Sequence, residues 1–310
     1  MDTQRGTSAD GAGDAWGIAP RGHRLPVATR VGPVRLQVAD LERALDYYGT
    51  VLGLAPTDRG AGTATLAAPG DDPPLVILEE GPGVRPVPSN GRLGLYHFAI
   101  LLPTRADLGR FLRYLRERGI RAGASDHRVS EALYLRDPDG LGIEVYADRP
   151  RSTWEASGRE LRMGTEPMDV EAVLRAGGDE PWQGMPAGTA MGHVHLHVGD
   201  LDRAAGFYHQ GLGLDKIVWS YPGALFLSAG GYHHHLGVNT WAAGAPPAGE
   251  GDARLLEWTL ELPDAGAVAV TAESLAAAGH PTEGSPRGDL VARDPWGTQV
   301  RVRAAPPGGS

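Results

Sequence analysis

The feature that most constrains this chain is an internal repeat. "VGPVRLQVADLERALDYYGTVLGLAP" (31–56) and "MGHVHLHVGDLDRAAGFYHQGLGLDK" (191–216) align without a gap. Each opens with strand-like alternation. Each then places an aspartate (Asp40, Asp200) where it can cap a helix, and a glycine (Gly53, Gly213) where the helix stops. A second pair, "LYHFAILLPTRADLGRFLRYLRERGI" (95–120) and "LLEWTLELPDAGAVAVTAESLAAAGH" (255–280), also reads strand, helix, glycine. Each of these runs on into an Asp-Pro turn, in "LYLRDPDGLGIEVYA" and "LVARDPWGTQVRVRA". The chain is therefore four copies of one βαβββ unit, over 31–82, 93–148, 191–241 and 253–304.

A single βαβββ unit cannot bury one face of its own sheet, so the units must associate. Two units side by side make a curved sheet around a cavity, and alternate residues of each strand point into it. The expected architecture is α+β, with a disordered tail over 1–30. A first barrel-like domain follows over 31–148, then a Pro-, Gly- and charge-rich linker over 149–190, then a second domain over 191–304. Composition fits two ordinary globular domains. Of 310 residues, 41% are hydrophobic and 22% charged.

The formal net charge of −9 and the lack of a long basic run argue against nucleic acid and anionic membranes as partners. No stretch reaches the roughly 18 consecutive apolar residues of a membrane span. The first 30 residues lack the apolar core of a signal peptide, so the expected location is the cytoplasm. With no cysteine, any metal must be held by histidine and carboxylate.

Across 31–304 this repeat resembles the vicinal oxygen chelate superfamily, whose members hold a metal on the first and last strands of paired units. The first-strand slot holds Pro33, His97, His193 and Glu257 in copies one to four; the last-strand slot holds Glu144 in copy two and Arg301 in copy four. Copies two and three together then supply His97, Glu144 and His193. Copies one and four supply no metal site. His195 and His197 share the face of His193 by alternation, but the alignment of copies favours His193. On this reading the metal lies between modules 93–148 and 191–241, within one chain or across two. Two histidines and one carboxylate suit non-haem Fe(II), and Mn(II) accepts the same set.

Within the superfamily, "HRVSEALYLRDPDGLGIE" is similar to the extradiol ring-cleaving dioxygenase signature. His127 is followed by Leu133-Tyr134, Asp137-Pro138, Gly140 and Glu144. Ser125, two residues before His127, departs from the usual pattern. The strings "GLYHFAILLP", "YADRPRSTW", "HLHV" and "GGYHHH" are similar to those of the two-domain catechol-2,3-dioxygenases.

That resemblance implies Fe(II), O2 and a catecholic substrate, and it assigns roles. His234 is the acid–base residue, with His233 and His235 turned away by strand alternation. Tyr134 hydrogen-bonds a substrate oxygen, and His127 orients the catecholate or stabilises negative charge. The implied product is a 2-hydroxymuconic semialdehyde, and assembly into a homo-oligomer is possible. Trp219, Tyr221, Phe226, Trp241 and Trp258 are candidates to line the pocket. The alternatives are a glyoxalase-like metal-dependent isomerase or lyase, which would remain active without O2, and a non-catalytic small-molecule binder of the same fold.

Overall fold

The structure is a computed structural model and describes residues 16–70, 73–88, 91–285 and 288–306. The first module runs β1 (Arg30–Val38), α1 (Leu41–Tyr47), β2 (Ala55–Gly60), β3 (Thr63–Ala67) and β4 (Val76–Glu80). The second runs β5 (Gly94–Leu101), α2 (Arg105–Glu117), β6 (Gly123–Asp126), β7 (Ser130–Arg136) and β8 (Gly142–Asp148). The connecting segment forms a small hairpin, β9 (Ala156–Ser157) and β10 (Glu160–Leu161), and a short helix, α3 (Val170–Ala176). The third module is β11 (Ala190–His197), α4 (Leu201–Ala205), β12 (Asp215–Val218), β13 (Ala224–Ser228) and β14 (Leu236–Asn239). The fourth is β15 (Arg254–Leu262), α5 (Ala265–Ala277), β16 (Thr282–Gly284), β17 (Leu290–Arg293) and β18 (Gln299–Ala304).

Local chemistry sets the boundaries. Asp40 Oδ1 accepts from the Arg43 amide at 2.9 Å, and Asp200 Oδ1 from the Arg203 amide at 2.7 Å. Both α1 and α4 then widen into a π-type turn, and Gly53 ends the first of these at φ 79°. A side chain at Gly53 would also collide with Gly184, whose Cα lies 2.5 Å from the ideal Cβ position.

Eight strands join in the order β12-β13-β14-β11-β5-β8-β7-β6, and eight more in the order β16-β17-β18-β15-β1-β4-β3-β2. Each curled sheet therefore takes one module from each half of the chain. The second and third modules meet through the antiparallel pair β5/β11, the first and fourth through β1/β15. The division into 31–148 and 191–304 follows the chain and not the sheets.

Strand alternation places the core. Val34, Leu36 and Val38 of β1 are buried in it, as are Val194, Leu196 and Val198 at the matching positions of the third module. The residues between them face the other side: Arg35 and Gln37 in one sheet, His193, His195 and His197 in the other. Sequence neighbours are tied by buried hydrogen bonds between modules. Tyr48 donates to Asp137 at 3.2 Å and Tyr208 to Asp294 at 2.9 Å.

Two stretches depart from the reading as tail and linker. Residues 16–30 pack along β12, with Ile18 bridged to Lys216, Leu25 buried and Arg24 clasping Asp215 through two nitrogens. The buried Leu25, the backbone bridge at Ile18 and an ion pair to the buried Asp215 hold this segment; residues 1–15 lie outside the described residues. The linker is folded as well. The Arg113 side chain donates to the Leu174 carbonyl at 3.0 Å, and Arg105 donates to that of Ala172 at 3.3 Å. Among the described residues no helix is long and apolar enough to cross a membrane.

Candidate active site

Three neighbouring strands, β11, β5 and β8, bring His193, His97 and Glu144 together. Across them His193 pairs with Ala99, which pairs with Glu144, and His97 pairs with His195. His97 Nε2 lies 3.0 Å from Glu144 Oε2, and His193 Nε2 lies 3.2 Å from the same oxygen. One ligand atom from each residue falls within 4.8 Å of the others, and all three side chains are buried.

Two irregularities aim these side chains. The β5/β11 register shifts between Met191 and His193, which makes Gly192 an extra residue. Tyr146 fills the space where a side chain at 192 would go: its Oη is 1.9 Å from the ideal Cβ position. A second shift between His195 and Leu196 makes Tyr96 the extra residue on β5, and Tyr96 and His97 both line one cavity.

The electrostatics suit a cation. Burial alone would raise the Glu144 carboxyl, but His193 and His97 together hold it well below the usual carboxylate range. Burial lowers His193 to about 4 against the pull of Glu144, so the imidazole is neutral at physiological pH, as a metal ligand must be. His97 Nε2 and His193 Nδ1 are buried without a hydrogen-bond partner. An orphaned buried nitrogen of His97 beside a carboxylate held ionised, with the His193 Nε2 on the same oxygen, fits a divalent metal, and the donor set accepts Fe(II) or Mn(II).

A cavity of about 320 Å³ adjoins this group and is lined by His97, Glu144, His127, Tyr134 and His234. His127 Nδ1 bonds the Gly164 carbonyl at 2.7 Å, and a carbonyl can only accept. In the neutral ring Nε2 is then the acceptor, and Tyr134 Oη donates to it at 2.6 Å. Burial, then the charge of Glu144, push the Tyr134 phenol well above its usual range, so it remains a donor.

His234 is held from behind. Asp148 Oδ1 lies 3.0 Å from His233 Nε2, and His233 Nδ1 lies 2.7 Å from His234 Nδ1. With the carboxylate accepting from His233 Nε2–H, the free lone pair of His233 accepts from His234 Nδ1–H. The Nε2 of His234 is left as the acceptor. Burial first, then the neighbouring imidazoles, push His234 well below its usual range, which makes it a neutral base. The three histidines do not sit on a strand, contrary to the alternation expected: β14 begins only at Leu236 and residues 233–235 form a bend. Glycines 230 and 231, both at positive φ, turn the chain there.

Other lining residues were only partly foreseen. Tyr221, Phe226 and Trp241 do line the cavity, whereas Trp258 is wholly in the core and Trp219 is a surface residue. Ser125, the departure from the signature, also lines it. Met163, Gly164 and Thr165 close one wall from the segment read as a linker, where no motif marks them. His195 faces the cavity too, but its Nε2 bonds Asn239 at 3.0 Å and not the Glu144 group. In the sister sheet, Glu257 at the His97 slot is held by Arg301 at the Glu144 slot, at 2.7 and 2.9 Å, and Pro33 stands at the His193 slot.

This duplicated fold and its buried His-Glu-His group define a known class. The profile of the Glyoxalase/Bleomycin resistance protein/Dioxygenase superfamily matches residues 30–145 and 190–302, and the chain belongs to that superfamily. It is 46% identical over 260 residues to a catechol-2,3-dioxygenase of Bacillus subtilis (strain 168), covering 82% of this chain and 90% of the relative. A biphenyl-2,3-diol 1,2-dioxygenase of Rhodococcus globerulus is 27% identical over 49% of this chain and 86% of its own length. Among solved structures, a Bacillus subtilis protein superposes with a TM-score of 0.64 at 14% identity, covering 91% of this chain and 87% of that one. Glyoxalase I from Zea mays superposes at 0.53 with 19% identity, covering 89% and 92%. At these identities the two structures speak for the fold alone.

Proposed function

We propose that this chain is an extradiol ring-cleaving dioxygenase acting in the cytoplasm. It would insert both atoms of O2 into a catechol-type substrate at an Fe(II) held by His97, Glu144 and His193. The observation that carries this reading is the buried His-Glu-His group opening onto a cavity with a neutral base and a tyrosine donor. The similarity to a catechol-2,3-dioxygenase over most of the chain supports it. Mn(II) is the other ion the donor set accepts.

When bound, the metal supplies the redox chemistry that lets a catechol react with O2. The protein's own groups do the rest. His234, with its Nδ1 proton held by His233, is free to take a hydroxyl proton from the entering substrate and return it when the ring opens. Tyr134, whose single O–H is donated to His127 in the resting site, would turn that proton to a substrate oxygen when substrate enters, its phenol staying protonated. His127, fixed by the Gly164 carbonyl, orients Tyr134. Tyr96, Tyr221, Phe226 and Trp241 wall the cavity with flat apolar surface suited to an aromatic ring.

The test is anaerobic loading with Fe(II), then addition of a catechol and O2. One O2 consumed per catechol, with a yellow ring-cleaved product, is expected. No uptake across a panel of simple and substituted catechols would refute the assignment.

A further inference from the structure

The metal-free sheet carries a cavity of its own, of about 380 Å³, that nothing in the reaction above uses. It lies over β1 and β15 and is rimmed by the turn Arg293–Thr298. In this sheet the concave face is charged where the sister sheet carries histidines. Arg35 stands opposite Glu257 across the β1/β15 pair, and Arg254 stands opposite Gln37.

The charges do not cancel. Glu257 is neutralised by Arg301, and Glu79 lies 2.6 Å from Arg35. Arg254 and Arg293 have no carboxylate partner among the described residues. The Nε–H groups of Arg35 and Arg254 are both buried and donate to nothing. A buried guanidinium N–H without an acceptor carries the full cost of lost hydration. Both Nε–H groups border this one cavity; Arg35 is already paired with Glu79 through a terminal nitrogen, so an occupant's negative charge would answer Arg254 while its oxygens offer acceptors to the two Nε–H groups. A carboxylate has that planar, forked geometry. The rest of the lining is mixed: Glu79, Glu257, Thr298 and Gln299 are polar, and Leu93, Leu95, Leu256 and Trp296 offer apolar surface for the body of a ligand.

We propose that this second cavity is a binding site for a small organic carboxylate with an apolar body, held by Arg254 and Arg35 and covered by Trp296. The site is separate from the metal group, and the proposal does not depend on the reaction assigned to that group.

Calorimetric titration of the full chain with benzoate tests it, with benzyl alcohol and inorganic phosphate in parallel. A saturable one-to-one heat is expected for benzoate, and none for the uncharged alcohol. Phosphate, which lacks the apolar body, should bind at least about tenfold more weakly. Arg254→Gln should weaken benzoate by about tenfold or more, since a charge-assisted pair is lost. Trp296→Ala should weaken it without abolishing it. Unfolding of either variant would show in its thermal midpoint; Arg35→Gln then carries the same expected loss. No saturable heat, phosphate binding as tight as benzoate, or benzoate binding unchanged in these variants would overturn the proposal.

Discussion

Removing the carboxylate of Glu144 while keeping its shape tests the metal centre directly. Glu144→Gln leaves a side chain of the same size between two imidazoles but takes away the one anionic donor within reach of His97 and His193, at 3.0 and 3.2 Å. A ligand that binds only the folded state stabilises it by RT ln(1 + [L]/Kd), about 2.7 kcal/mol at a hundredfold excess over Kd. For a chain of this size that is worth about 5 °C in thermal midpoint. Loss of a supporting group outside the metal's own shell already costs 10- to 100-fold in affinity, so loss of the acid should exceed about 100-fold. The same metal concentration would then stabilise the variant by about 0.4 kcal/mol or less, under about 1 °C. The assay is anaerobic differential scanning fluorimetry with and without Fe(II). Glu131→Gln is the control: it removes another buried acid, paired with Arg105 and Arg149, and should lower the midpoint yet keep the metal-dependent rise. A Glu144→Gln protein that keeps the full rise would refute the ligand assignment.

Further outcomes are expected. Tyr134→Phe removes the donor to His127 and any bond to substrate, and steady-state kinetics should show kcat down by roughly 10- to 100-fold with KM changed less. Asp148→Asn takes away the anion behind His233; kcat should fall about tenfold while the Fe(II)-dependent midpoint rise is unchanged, which separates a positioning role from a metal-binding one. Asp137 is pushed up to about 7, by burial first, against the Leu141 and Asp139 amides and with the Asp139 charge adding to it. Its folded pKa lies above the ordinary 3.8, so the folded state holds that proton more tightly. This stabilisation is present at low pH and is lost as pH rises through about 7, with a ceiling on the order of 4 kcal/mol. Asp137→Asn should therefore narrow the difference in thermal midpoint between pH 5 and pH 8, and an unchanged difference would sink the reasoning. Gly192→Ala would drive a methyl into Tyr146 Oη; chemical denaturation should show a loss of about 1–3 kcal/mol.

Much of this was legible in the chain itself. The alternation Val34, Leu36, Val38 and its echo Val194, Leu196, Val198 fixes which face of each first strand enters the core, and so which face carries Arg35 or His193. Helix starts were readable from Asp40 and Asp200 because capping is local. That His97, Glu144 and His193 converge was readable because equivalent slots of a repeat must occupy equivalent places in space. What stayed hidden is non-local. A bulge at Tyr96 or Gly192 depends on how two distant strands are paired, and neither strand alone encodes it. The wall built by Met163–Thr165 comes from a segment with no periodicity. The bend at His233–His235 follows from two consecutive glycines at positive φ, which break the strand pattern the histidines were assigned to.

The sister sheet explains why duplication does not yield two His-Glu-His groups. A metal needs two neutral imidazoles and one anion converging without internal neutralisation. In the first sheet the slots hold His97, His193 and Glu144, and both histidine Nε2 atoms face the one acid with no cationic side chain between them. In the second, Glu257 and Arg301 place opposite charges at two of those slots, and the Arg301 guanidinium satisfies the acid with two hydrogen bonds. Arg301 also reaches Asp289 at 3.1 Å, so its charge is fixed from both sides. Pro33 at the third slot has no donor atom in its side chain. Putting histidine at position 257 would therefore not suffice to bind a metal: Arg301 would remain as a buried cation at the place where the ion must sit. The backbone frame is shared, and the identity of the residue opposite the histidine slot decides whether it offers a set of metal donors or closes into an ion pair.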